Sequence, residues 1–468
     1  MKRAEVWGIV AIAAAGALSI AQSWNRWLDP VIDAGRDLYV PLQLAGGAHL
    51  YRDIAYNYPP LTPYALAAVA RLFGSSLALY IAIGFAVAIV SAAALYMLAR
   101  RTAGVDAAFV AGLLFVTLCV AGRPNFNFFF PYAHSMTFGA AFTMLFLASS
   151  WIVFGALACA TKIEFAAVVI ACALVTRRWL AAAIFAVIAL TLTPFPAKLV
   201  GGASGFYSRL AVGDWRHVVV GVTILAAVAI LSGTPKAIWL APLFVFVSAE
   251  DVFAATPVVH VALIPFLRRK RALPLLWCAS AVSTARIALN VAPSFNGFAY
   301  VLPTIVLFVA AAFAFFPKPL WIALFIGMSV HALWRPGDPV VRVETPRGSY
   351  LDRDVARGRV MQKILSSLPS GTLTVIPEGV SIDYFAGRRT PLRTYLFTPP
   401  EFDESVTRDF AAHPPDLVLV VPRTVNEYGS KGFGVDYGQS LAAFIRTHYA
   451  HERTFADGYY KAELWRRR

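Results

Sequence analysis

The stretch that decides the fold runs from Trp24 to Gly74: W-N-R-W-L-D-P-V-I-D-A-G-R-D-L-Y-V-P-L-Q-L-A-G-G-A-H-L-Y-R-D-I-A-Y-N-Y-P-P-L-T-P-Y-A-L-A-A-V-A-R-L-F-G. It follows the first apolar run and precedes every other one. Only ten acidic residues stand before Arg335, and four of them, Asp29, Asp33, Asp37 and Asp53, lie in this loop. Carboxylates beside a bilayer are costly to desolvate, so a cluster of them there points to function. The plain alternative is a set of solvated loop charges.

Local signals predict two short helices within the loop. Asp29 is a capping residue placed before Pro30, the favoured order at a helix start. Gly46 and Gly47 can end that helix in the left-handed cap conformation, and Pro41 should bend it. In such a helix Asp33, Arg36 and Asp37, at i, i+3 and i+4, share one face. A second helix is expected from Pro59-Pro60 to Gly74. Lying along a membrane surface, the two would hold Asp33 just above the bilayer.

The rest of the chain supplies that membrane. Of 468 residues, 59% are hydrophobic and 14% charged, with a mean hydropathy of +0.64. Soluble domains are about 45–50% apolar. The net charge of +15 does not point to nucleic acid, because of where it sits. Before Arg335 there are 22 Lys/Arg against 10 Asp/Glu, many in short clusters between apolar runs, as cytoplasmic loops have. From Arg335 onward the balance is nearly even, 19 against 16.

Span lengths and arginine positions predict about thirteen transmembrane helices, with the N-terminus cytoplasmic and the C-terminus outside. The run Val6 to Ala21 has features of a cleaved signal peptide but reads better as an uncleaved first span. Further spans are expected at Ser76–Ala99, Val105–Ala121, Thr137–Ser150, Leu180–Pro194, Val218–Leu231, Ala237–Ala249, Val252–Phe266, Leu273–Leu289, Phe298–Phe316 and Leu320–Leu333. The run Trp151 to Thr176 is split into two short helices meeting near Lys162 and Glu164, which keeps Arg177-Arg178 inside. Of the ten early acids, only Glu5 and Asp106 then fall inside. Cys119, Cys159, Cys172 and Cys278 lie in apolar runs without metal spacing and read as small buried residues.

The chain divides at 334/335 by composition. Residues 1–334 form the transmembrane part and 335–468 a small extracytoplasmic α/β domain. In the latter, G-T-L-T-V-I-P and D-L-V-L-V-V-P read as buried strands and Ser440–His448 as a short helix. H-E-R-T-F and Y-Y-K-A-E-L-W read as a hairpin turning at Ala456-Asp457-Gly458.

In the first loop, D-A-G, a proline, G-G, L-Y-R-D, Y-P-P-L-T-P-Y and R-L-F-G follow one another over about fifty residues. This order resembles the first external loop of the GT-C glycosyltransferases, in particular the bacterial group of Rgt-type sugar transferases, lipid A aminoarabinose transferases and protein mannosyltransferases. The resemblance implies a GT-C-like multi-pass membrane fold in the bacterial cytoplasmic membrane. It implies a polyprenyl-phosphate-linked sugar as donor, inversion at the anomeric carbon, and Asp33 in the place of the catalytic aspartate. A lipid, glycan or protein would accept the sugar.

Such a donor carries a good leaving group, so the site needs a base for the acceptor hydroxyl and positive charge for the departing phosphate. Asp33 fits the base, its basicity open to being raised either by partial burial or by Asp37 close by. Arg36 either holds the phosphate or pairs with Asp33 or Asp37. Arg52 and Asp53 are substrate-binding candidates or a plain loop ion pair, and Tyr58 shapes the loop around the substrate. Arg123, His134, Lys162 and Glu164 complete the candidate binding residues, with Lys198, Arg209, Arg216, His217, Glu250 and Asp251 also on the outer side. Lys162 and Glu164 interrupt an apolar stretch, either to face a polar cavity or a lipid phosphate, or as a structural ion pair. His134 is either a ligand or a satisfied interfacial histidine, and Phe126 to Tyr132 either an interfacial aromatic belt or a groove for the lipid chain. The second outer loop, Gly122 to His134, lacks the acidic residue many members of the family carry there, which leaves any second carboxylate to Glu164 or to Glu250-Asp251. No tight set of oxygen ligands is visible, so metal-independent chemistry and no cofactor are expected. The rival readings are a transporter or flippase of lipid-linked sugars, and a catalytically inactive relative. Transporters place their sites near the midplane on paired broken helices. Here the unusual residues collect at one surface.

Overall fold

The computed structural model describes residues 3–26, 29–121, 126–193, 214–287, 290–294, 297–334 and 339–468. Arg123, Lys198 and Arg209 lie outside them. The chain forms two compact units. Among the described residues, one lies within Met1–Trp24, Ile83–Thr193 and Leu210–Pro336, and the other within Asn25–Ala82 and Gly337–Arg468. The first loop therefore shares a unit with the tail, although composition groups it with the apolar helices.

The first unit is helical among its described residues. Among the described residues of the whole chain, two helices are long and apolar enough to cross a membrane by themselves, Glu5–Ser23 and Leu77–Ala103, and nine further apolar helices have 10–17 residues, one of which, Leu61–Phe73, belongs to the second unit. Trp7, Trp179, Leu190, Ile230 and Phe246 stand exposed on the helices of the first unit. An apolar exterior of this kind marks a surface that is covered by something other than water.

The expected break between two short helices is present. Ile152–Cys159 and Ile163–Val175 meet at Thr161 and Lys162. Two other spans differ from expectation because proline removes backbone donors. Pro235–Phe246, with Pro242 inside it, is a 3₁₀ helix. The run expected at Val252–Phe266 is broken into Ala249–Ala254, Thr256–Leu263 and a 3₁₀ turn Ile264–Arg269, with prolines at the starts of the last two.

Contacts join charges from distant parts of the sequence. Glu5, buried, pairs with Arg100 at 3.0 Å. Asp106 pairs with Lys318 at 2.8 Å. Arg178 donates to the Ser150 carbonyl at 2.6 Å, and Arg101 donates to that of Ala148. These cations satisfy carbonyls left open at the C-terminal end of helix His134–Ser149. All of these charged residues are ones that arginine placement assigns to the inner side.

The aromatic loop does not form a surface belt. Phe128, Phe129 and Phe130 are buried. Phe128 meets Phe115 and Phe298 edge-on, and Phe129 stacks on Phe85 at 6.0 Å. Gly84 permits this approach, because a Cβ there would stand 2.1 Å from the Phe129 carbonyl oxygen. The four cysteines are free and buried.

The second unit is built on a four-stranded sheet and a separate hairpin. The hairpin pairs β1 (Val341–Thr345) with β2 (Gly348–Asp352). The sheet has β3 (Leu373–Ile376), β4 (Leu417–Val420), β5 (Tyr449–Asp457) and β6 (Tyr460–Arg467), in the order β3-β4-β6-β5. Strands β3 and β4 are parallel; the others are antiparallel. The two apolar runs expected as strands are therefore side by side, and their near-continuous burial is what a parallel pair requires. Val418, Phe397, Phe410, Leu441 and Tyr449 form the core on this sheet. The expected helix is present as Gln439–His448.

The loop is tied to the tail along its length. Asn25 donates to the Ser349 carbonyl at 2.6 Å and its carbonyl accepts from Leu351 at 2.8 Å. Arg393 donates to the Tyr51 carbonyl at 2.6 Å, Ala55 donates to that of Arg393 at 2.9 Å, and Leu77 to that of Arg347 at 2.9 Å. Backbone groups that would otherwise need water are thus paired with chain 270 residues or more away.

Candidate active site around Asp33

The second loop helix, Leu61–Phe73, matches expectation, with Pro60 before it and Gly74 ending it. The first does not. It begins at Arg36 and runs to Ala45, ending at Gly46 as expected. Asp29 does cap, accepting from the Val31 and Ile32 amides at 2.9 and 3.1 Å. It caps a bend and not a helix. Asp33 adopts a left-handed backbone, φ 58°, which ends the turn before a helix can propagate. Asp33, Arg36 and Asp37 accordingly do not share a helical face; Asp33 stands on the bend that leads into the helix carrying the other two.

The cause lies in the tail. The Asp33 amide, which in a helix would seek a carbonyl four residues back, donates to Glu378 Oε1 at 2.7 Å. A left-handed non-glycine residue costs about 1–2 kcal/mol. A hydrogen bond to a buried charged group contributes about 1.5–3 kcal/mol, enough to offset it. Gly35 is the second requirement: a Cβ there would come within 2.4 Å of the Ser381 amide nitrogen. Ser381 in turn donates from its hydroxyl to the Pro30 carbonyl. The bend is clamped from both sides.

Arg36 and Asp37 are both buried, and Arg36 Nε donates to Asp37 Oδ1 at 3.3 Å. The Arg36 guanidinium lies over the Tyr58 ring, 4.8 Å from its centre, and Tyr56 packs edge-on against Tyr58. Burial opposes the Arg36 charge, but Tyr58, Asp37 and Asp33 outweigh it and hold the guanidinium protonated more firmly than usual. Burial and the Asp37 charge push the Tyr56 hydroxyl well above its ordinary value, so it stays a donor.

Glu378, also buried, accepts from Arg423 Nε at 2.7 Å on its second oxygen. Arg423 continues to Glu427 at 2.6 Å. Burial, then repulsion from Asp33, pushes the Glu378 carboxyl up to about 7. Glu401, half-buried and held by the Thr398 hydroxyl, is raised by burial and by Asp33, with Arg36 acting the other way. Burial, Glu378, Asp33 and Glu401 raise the Tyr428 hydroxyl. Asp33 thus shares its surroundings with Arg36, Asp37, Glu378, Glu401 and Tyr428.

The tail residues were not legible as site residues, yet a signal was present. Glu378 follows β3 in V-I-P-E and Arg423 follows β4 in V-V-P-R. Because β3 and β4 are parallel, both side chains leave from the same carboxyl edge, where α/β sheets bind ligands.

The other candidates lie elsewhere. Arg52 and Asp53 pair with each other at 2.8 and 2.9 Å in an exposed turn, with His49 on the same guanidinium. In the helical unit, Glu164 is held by Arg286, by Lys162 at 3.5 Å and by the Tyr300 hydroxyl at 3.4 Å. Lys162 is buried, and the other Glu164 oxygen, Oε2, is buried without a hydrogen-bond partner. His134 is buried at the start of its helix, edge-on to Phe130. His217 pairs with Asp251 at 2.5 Å, and Ser294 donates to Glu250. Arg216 carries the amide capped by Asp214. Among the described residues, no group of three or more His, Cys, Asp or Glu is arranged to hold a metal ion.

No protein-family model matches this chain, and no curated protein does. Among solved structures, two crystal structures of ArnT from Cupriavidus metallidurans are similar at 14% identity. The one bound to undecaprenyl phosphate has a TM-score of 0.42, covering 98% of this chain and 97% of that one. The apo state has a TM-score of 0.41, covering 99% and 98%.

Proposed function

We propose that this protein is an inverting glycosyltransferase of the bacterial cytoplasmic membrane. It moves a sugar from a polyprenyl-phosphate carrier to a lipid, glycan or protein acceptor on the outer face. The apolar helices lie in the bilayer with the N-terminus cytoplasmic, and residues 335–468 lie outside. The D-A-G-R-D loop and its resemblance to GT-C enzymes support the reading, as does the apolar exterior of the helical unit.

One observation carries the chemistry. Asp33 stands on a left-handed bend beside a buried arginine, anchored by a second carboxylate. In the proposed step Asp33 takes the proton from the acceptor hydroxyl as its oxygen attacks the anomeric carbon. The bond from that carbon to the phosphate oxygen breaks and its electron pair leaves with the phosphate, next to the positive charge of Arg36. The step needs no metal, since the acidic side chains supply the base and the arginine supplies the countercharge.

The test is carrier turnover. The purified chain is given radiolabelled polyprenyl-phosphate sugars with membrane lipid extract, and label leaving the carrier is followed. Transfer to a new product supports the enzyme. Bound carrier with no label released, together with carrier movement across vesicles, would replace this reading with a transporter.

A further inference from the structure

The Glu378–Arg423 pair is expensive. Two buried charges taken from water cost several kcal/mol each before their attraction is counted. They are not needed to close the sheet, since β3 and β4 end before them. What the pair does touch is the Asp33 bend. One Glu378 oxygen takes the Asp33 amide and the other takes Arg423, both at 2.7 Å, so the carboxylate is locked in orientation. Arg423 is fixed in turn by Glu427 at 2.6 Å. The chain of contacts runs from the carboxyl edge of the tail sheet to the backbone of one loop residue, 345 positions away in sequence.

We propose that Glu378 and Arg423 are positioning residues for Asp33. Glu378 fixes the left-handed backbone of Asp33, and Arg423 holds Glu378 in place. This rests on the reading of Asp33 as a base. The tail then completes the surroundings of the Asp33 bend. The groups facing Glu378 are Asp33 from the loop, Arg423 from the segment after β4, and Tyr428 and Tyr437 beyond it.

Two measurements on the full chain in lipid nanodiscs separate this from the enzyme reading. The first needs no activity. Hydrogen–deuterium exchange is followed over residues 29–37 in the wild type, Glu378→Gln, Glu378→Ala and, as a surface control, Glu452→Gln. A glutamine offers one acceptor to two donors, so both Glu378 variants should exchange this segment about tenfold faster, the control not at all. Unchanged exchange overturns the anchor. The second uses the labelled carrier assay. Glu378→Gln should lower kcat about 10- to 100-fold with KM for the carrier changed less than about threefold. Glu378→Asp should recover part of the loss. Equal kcat overturns the positioning role while transfer itself stands. No transfer by the wild type sinks the enzyme reading, and the exchange result then decides the anchor alone.

Discussion

The surroundings of Asp33 and those of Glu164 are both buried charge in a chain with little of it, and they are balanced in opposite ways. Glu164 faces two cations, Lys162 and Arg286, with Tyr300 donating as well. Asp33 has Asp37, Glu378 and Glu401 around it, with Arg36 and Arg423 as the cations. Two acids that look alike in the sequence are thus held in different surroundings. On the proposed function Asp33 takes the proton, and the Glu164 cluster holds a negatively charged group or serves structure.

The largest effect that would break this contrast is on stability. Glu164→Leu leaves Lys162 and Arg286 without their carboxylate and should destabilise the helical unit by about 3–5 kcal/mol, read from thermal inactivation in detergent. An undisturbed protein would mean that the cluster is open to water or to another anion.

The second prediction sharpens the Asp33 side. Gly35→Ala forces a methyl group against the Ser381 backbone and should cost about 1–3 kcal/mol in the second unit. It should also lower turnover, because the bend moves with it. Normal stability and turnover would show that the close approach can relax without consequence.

The third concerns pH. Glu378 binds its proton more tightly folded, at about 7, than unfolded. Its contribution to stability is therefore fully present below the ordinary carboxylate range and is lost as pH rises through about 7. Glu401 and Asp352, raised mainly by burial, push the same way. Melting of the second unit should fall between pH 5 and 7.5, and Glu378→Gln should flatten that slope. A melting temperature that rises over this range would contradict the burial of these acids.

The smallest effect is expected at the exposed turn. Arg52 and Asp53 engage each other and His49, so Arg52→Ala should change carrier turnover by less than about twofold. A larger loss would return this pair to the binding site.

Much of the fold was legible because its signals are local. The break at Thr161-Lys162, the helix ended by Gly46, the helix ended by Gly74 and both apolar strands of the tail follow from charge, glycine and burial pattern. The Asp33 bend was not, because its cause is a carboxylate 345 residues away. Local signals at Asp29 and Pro30 favour a helix; one long-range hydrogen bond and the packing of Gly35 on Ser381 override them. The 3₁₀ run at Pro235–Phe246 was open to reading from its two prolines. The site residues Glu378 and Arg423 needed one further fact, that β3 and β4 run parallel, which hydropathy alone does not give.

The central claim is that Asp33 is the base, and turnover of Asp33→Asn tests it most directly. Asparagine keeps the size and can keep the backbone bond to Glu378, so the bend and carrier binding should survive. With labelled polyprenyl-phosphate sugar at saturation, kcat should fall about 10²–10⁴-fold, the range general-base catalysis supplies. Transfer at the wild-type rate by a folded Asp33→Asn protein would contradict the account and move the proton acceptor to another residue.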